Sequence, residues 1–183
     1  QLADSWEEEM GFWRFLGNPR FGWESLRSDC LEGIGEKVVG RHVLSIQDGS
    51  TISLNGYLNK RKGFGQTGTL GDHPGIELHP ALILDAQNGA CLGLGALDFP
   101  ECNSVGRPLE PTRARKEAEA VTKKTGVWLR VGAAARQRLK GAAQVTHIAD
   151  RAADFFEMFL EFGQKKTEND HFIVRSNGDR HLG

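Results

Sequence analysis

Trp6, Met10 and Trp13 stand at i, i+4 and i+7, so residues 4–17 are expected to form an amphipathic helix, ended by GNP. A second short helix is expected from Trp23 to about Gly33. The period then changes. RHVLSIQD is apolar and β-branched, and STISLNGY alternates, so residues 41–57 read as strand, break, strand. Residues 58–76 are rich in glycine and read as a loop. Residues 78–99 predict two strands joined by a turn at AQNG. Pro100 to Pro111 reads as a linker. Residues 112–140, rich in Ala, Lys and Arg, predict helix interrupted near Gly126 and Gly132. A strand at 143–149, a helix at 153–165 and a strand at 171–175 complete the order.

Hairpin strands followed by alternating strand and helix argue for an α/β fold with a mixed sheet flanked by helices. A ribonuclease-H-like sheet has this element order, and so do other α/β folds. The loop contains GFGQTG, Gly63 to Gly68, a literal G-x-G-x-x-G. A dinucleotide site needs a helix opening at those glycines. TLGDHPG follows instead and is unsuited to helix, so the fingerprint fails on context.

With 183 residues, 39% hydrophobic and 26% charged, the chain suits one globular domain with a small appendage. No apolar run approaches the roughly 20 residues of a membrane helix. The opening QLADSWEEEM is acidic, unlike the basic start of a secretory signal. Cys30, Cys91 and Cys102 are widely spaced, with no C-x-x-C pair, which argues against zinc and for reduced thiols. The net charge of −1 hides an asymmetry: residues 105–141 carry ten basic residues, among them Arg113, Arg115, Lys116, Lys123, Lys124, Arg130, Arg136 and Arg138. Against these stand Glu110, Glu117 and Glu119, so the block suits either a polyanion partner or a solvated helix face.

Two carboxylates end apolar strands, Asp48 after VLSIQ and Asp150 after THIA. On neighbouring strands they would emerge at one edge and offer hard oxygen ligands to Mg²⁺. Asp48 could equally serve a turn before Gly49 and Ser50, and Asp150 or Asp154 could cap the following helix. His42, His79 and His147 lie on or beside strands, where packed histidines are commoner than catalytic ones. Trp6, Phe12, Trp13 and Phe15 could stack on bases, but their spacing suits a small core better. No G-x-S-x-G elbow supports a serine hydrolase.

HIADRAADFFEMF followed by HFIVRSNGDR resembles the D-R-E-A-D segment and the downstream R-F-V-V-R-S strand of bacterial insertion-sequence transposases, in the insertion-sequence-four family. LSIQDGSTISL is similar to that family's strand bearing the first catalytic aspartate, and GTLGDHPGIELHPALILDA to its loop and second strand. KTGVWL resembles the basic helix with its tryptophan. WEEEMGFWRFLGNPRFGWESL resembles a segment of the N-terminal DNA-binding region. The matches run through nearly the whole chain in the family's order.

The resemblance implies a partial helical DNA-binding region over 1–40 and an incomplete ribonuclease-H-like core with a DDE triad over 41–183. It implies Asp48 and Asp150 as catalytic, metal-binding carboxylates for Mg²⁺ or Mn²⁺, with Asp154 left to cap the helix. Arg151 matches the family's arginine. Arg14, Arg20, Lys60, Arg61, Lys62, Arg175 and Arg180 are expected phosphate contacts by charge and resemblance. The expected activity is nicking of double-stranded DNA at transposon ends, followed by attack of the freed 3′-hydroxyl on the opposite strand and on target DNA. The complete protein is expected to be a cytoplasmic, nucleoid-associated homodimer with no membrane association.

Departures are evident. Ala152 stands for the family's Glu, Lys124 for another, and the third carboxylate of a Y-x-x-R-x-x-x-E helix has no counterpart. Glu157 reads as a solvated helix residue. The chain therefore reads as an N-terminal piece with two-thirds of a triad, inactive alone. A non-catalytic DNA-binding remnant or regulator of transposition is the alternative, and a nuclease or resolvase without strand transfer a third.

Overall fold

The structure, a computed structural model, describes residues 4–16, 18–20, 22–53, 65–67, 73–100, 124–164 and 168–178. The chain divides into two compact units, Gln1–Glu32 and Gly33–Gly183.

In the first unit, α1 spans Trp6–Leu16 and α2 spans Trp23–Leu31. Ser5 Oγ accepts from the Glu8 amide at 3.2 Å, and Glu8 Oε2 accepts from the Asp4 amide at 2.9 Å, so side chains satisfy amides at the start of α1. Glu7, Glu8 and Glu9 in the first turn and Arg14 in the last complement the helix dipole. Trp6 and Trp13 are exposed, and so is Phe15. The small core expected of this face is therefore not built from these three side chains.

The second unit opens with the single turn α3, Ile34–Lys37, followed by β1 (His42–Gln47), β2 (Ser50–Ser53), β3 (Gly65–Thr67), β4 (His73–Asp85) and β5 (Cys91–Asp98). After α4 (Lys124–Arg138) come β6 (Gln144–Ala149), a 3₁₀ turn at Arg151–Ala153, α5 (Phe156–Gln164) and β7 (Asp170–Val174). The main sheet runs β5-β4-β1-β6-β7, antiparallel on the β5 side of β1 and parallel on the β7 side. The fold is thus α/β with a mixed, partly parallel sheet flanked by helices.

β4 is longer than the sequence pattern implies. It begins at His73, inside the stretch read as loop, because β2 and β3 both pair with its first half. Gln47 pairs with Ala81 and Ser50 with Leu78, so β1 and β2 follow β4 in one register, interrupted at Asp48 and Gly49. Pro80 and His79 stand opposite that break, and proline has no amide to donate to the ladder. At the other end of β4, Asp85 Oδ1 accepts from the Gln87 amide at 2.9 Å and its Oδ2 from Arg41 at 2.7 Å. These bonds, the Gln87 amide first, hold the Asp85 carboxyl below its usual range.

Alternation along the strands sends Val43, Ile83, Val145 and Ala149 to one face, where Val127, Trp128, Val131 and Ala135 of α4, Leu139 just after it, and Met158 and Phe162 of α5 complete the core. Ile34 and Val38 belong to the same core, which explains why the second unit starts at Gly33. Leu44, Ile46, Leu82, Leu84 and Ile148 alternate to the opposite face, half-buried and outside that cluster. α4 runs unbroken through Gly126 and Gly132, contrary to the expected interruption. A Cβ at Gly132 would lie 3.1 Å from Gln47 Nε2 and 3.2 Å from Phe162 Cζ, so this glycine lets the helix approach the sheet.

Candidate active site

The parallel pairing of β1 with β6 sets the site. Gln47 pairs with Ala149, and Asp48 and Asp150 are the next residues on strands about 4.8 Å apart. Both carboxylates therefore leave the sheet at one edge and one level, as the strand pattern leads one to expect. β7 ends at the same edge, where the Arg175 amide donates to Ala149 O at 3.2 Å.

Each aspartate is oriented by a neighbouring amide. Asp48 Oδ1 accepts from Gly49 N at 2.8 Å, and Asp150 Oδ1 accepts from Ala152 N at 2.8 Å. Asp150 thereby caps the 3₁₀ turn, so capping and ligation do not exclude one another: the cap occupies one oxygen. Among the described residues, the second oxygen of each carboxylate has no hydrogen-bond donor. Asp154, expected to cap the helix, accepts through Oδ2 from the Asn177 amide at 2.7 Å. It ties the segment after β7 to the segment after β6. Glu157 is exposed, as expected.

A pocket of about 270 Å³ opens at this edge, with Asp48, Gly49, Glu77, His79, Trp128 and Ala152 in its wall. His79 is 3% exposed and meets Trp128 edge-on, ring centroids 4.3 Å apart. Burial lowers its pKa against the opposing pull of Asp48, Asp98 and Asp150. Asp98, paired across the ladder with His79, is held by Arg130 of α4 at 2.8 Å. Glu77, His79 and Trp128 were not singled out as site residues from the sequence. The i, i+2 spacing of Glu77 and His79 on one strand face was the available signal.

Arg151, directly after Asp150, and Arg175, directly after β7 at the same sheet edge, are both exposed. Arg14 and Arg20 belong to the first unit. Lys60, Arg61, Lys62 and Arg180 lie outside the described residues. Three arginines of the basic block have internal partners: Arg130 holds Asp98, Arg136 lies 3.3 Å from Asp170, and Arg138 donates to Gly95 O and Ala134 O.

Two hard carboxylate oxygens free at adjacent strand ends fit a divalent cation that keeps most of its waters, as Mg²⁺ does. Among the described residues, no group of three or more His, Cys, Asp or Glu is gathered closely enough to hold a metal ion. No described helix is long and apolar enough to cross a membrane. Compared with protein-family models and with curated proteins, the chain matches neither.

Proposed function

We propose that this chain carries part of the DNA-cleaving core of an insertion-sequence-four-type transposase, with two of its three catalytic carboxylates, built on a ribonuclease-H-like sheet. The observation that carries the proposal is the β1–β6 register, which brings Asp48 and Asp150 to neighbouring strand ends. The strand order β5-β4-β1-β6-β7, with three antiparallel strands and two parallel ones, supports the ribonuclease-H-like assignment.

Asp48 and Asp150 would hold Mg²⁺ through the oxygens their amide partners leave free. Bound there, the ion supplies the Lewis acid for phosphoryl transfer on DNA. The Gly49 and Ala152 amides fix the rotation of the two carboxylates, so little ordering remains to be done on loading. Arg151 and Arg175 take phosphates of the duplex, positioning it without reading its sequence. Val127 and Trp128 form an apolar wall that limits water on one side of the pocket.

The test is cleavage of transposon-end DNA by the complete protein. Asp48→Ala or Asp150→Ala abolishes cleavage and leaves end binding intact; either variant still cutting would refute the assignment. A second reading, a DNA-binding product that does not cut, is favoured by Ala152, which lines the pocket where the family resemblance calls for Glu. Binding of ends by the parent protein without any cleavage would select it.

A further inference from the structure

His79 carries chemistry that the two aspartates alone do not account for. It is almost wholly enclosed, yet it lines the pocket beside Asp48. Its Nε2 is buried with no hydrogen-bond partner. Its neighbours on the same face of the strand are Ala81 and Ile83.

The ring is held in one attitude. Trp128 meets it edge-on at 4.3 Å, and across the interrupted ladder it faces Gly49. A Cβ at Gly49 would sit 3.6 Å from His79 Nδ1, so Nδ1 is the nitrogen that faces Gly49, the residue after Asp48. Of the three carboxylates that act on the ring, Asp98 is taken by Arg130. Among the described residues, Asp48 and Asp150 are each left with one oxygen without a hydrogen-bond donor.

We propose that His79 is a positioning residue of the cation site, its Nδ1–H donating to a water of the ion held by Asp48 and Asp150. This rests on the cation assignment of those aspartates. No bond joins His79 to either carboxylate in the structure; the donor contact forms through the ion's hydration shell. Mg²⁺ and Mn²⁺ keep several waters when bound by one or two carboxylates, so a nearby fixed donor has something to meet. Outer contacts of this kind commonly alter metal affinity by about 10–100-fold.

The experiment is Mn²⁺ binding to this chain, followed by electron paramagnetic resonance of the free ion. His79→Phe is expected to weaken binding by about 10-fold or more. His79→Asn, whose amide nitrogen falls near the place of Nδ1, is expected to stay within about threefold of the parent. His79→Gln, with its nitrogen near the place of Nε2, is expected to behave like His79→Phe, and keeps the test open should His79→Phe not fold. Equal affinity in all four proteins overturns the role of His79 while Asp48→Asn and Asp150→Asn still weaken binding. If the parent binds no Mn²⁺, or if those aspartate variants bind it unchanged, the cation site itself falls and this proposal with it.

Discussion

Acid should destabilise the second unit through one buried imidazole. His147 of β6 is fully buried, packed against Phe162 at 4.7 Å, and neither ring nitrogen has a hydrogen-bond partner. Burial pushes its pKa from 6.5 down to about 4, outweighing the pull of Asp170. Asp170 of β7 is the natural counter-ion, with Oδ1 3.9 Å from His147 Nε2. Its other oxygen lies 3.3 Å from Arg136 of α4, which also stands 3.9 Å from Glu161 of α5 and over the Phe162 ring. The guanidinium thus competes for the carboxylate that a protonated imidazole would need.

The sign follows from linkage. The unfolded chain takes up the proton near pH 6.5 and the folded chain only near pH 4, so the contribution is complete above pH 6.5 and drains away as pH falls to about 4. At about 1.4 kcal/mol per pH unit, that window is worth about 3 kcal/mol, a large share of a typical domain's stability of about 5–15 kcal/mol. Urea titrations at several pH values between 7 and 4, on the parent and on His147→Leu, measure it. The stability difference between the two proteins should shift by up to about 3 kcal/mol in favour of the variant as pH falls. Parallel curves would refute the account and mean that Asp170 accepts the charged ring after all.

Other consequences are quickly checked. Gly132→Ala forces a methyl against Gln47 and Phe162 and should cost about 1–3 kcal/mol in a urea titration, despite the better helix propensity of alanine. Asp154→Ala removes the acceptor of the Asn177 amide; that amide should exchange faster with solvent, and stability should drop by about 1 kcal/mol. Under the DNA-binding proposal, Arg151→Ala and Arg175→Ala should each weaken binding uniformly across sequences and lower the salt slope by about 1. Unchanged slopes would remove both residues from the interface.

The strand ends were legible because apolar, β-branched runs stop abruptly at Asp48 and Asp150. The β4–β5 hairpin was legible from its turn residues. The first half of β4 was not: Pro74 and Gly75 look like breakers, and only pairing with β2 and β3 makes them strand. The sequence implies interruptions in α4 because Gly126 and Gly132 disfavour helix, whereas close approach to Gln47 and Phe162 rewards a missing side chain at Gly132. The ionic ties of Arg130 and Arg136 were invisible because Asp98, Glu161 and Asp170 are distant in sequence. The same long-range folding hid His79, whose place beside Asp48 depends on the β1–β4 register.

The β1–β6 ladder also sets an order of events in synthesis. β1 pairs with β6 about a hundred residues later in the chain. During translation β1 and β4 can join, but the far side of β1 remains an open edge until residues 144–149 leave the ribosome. An open apolar edge is a template for pairing with another chain. Chains interrupted before β6 are thus predisposed to aggregate, and they cannot bring Asp48 and Asp150 together. Closing so long a loop is entropically slow, which makes the two-aspartate arrangement a late product of folding that is withheld until most of the sheet exists.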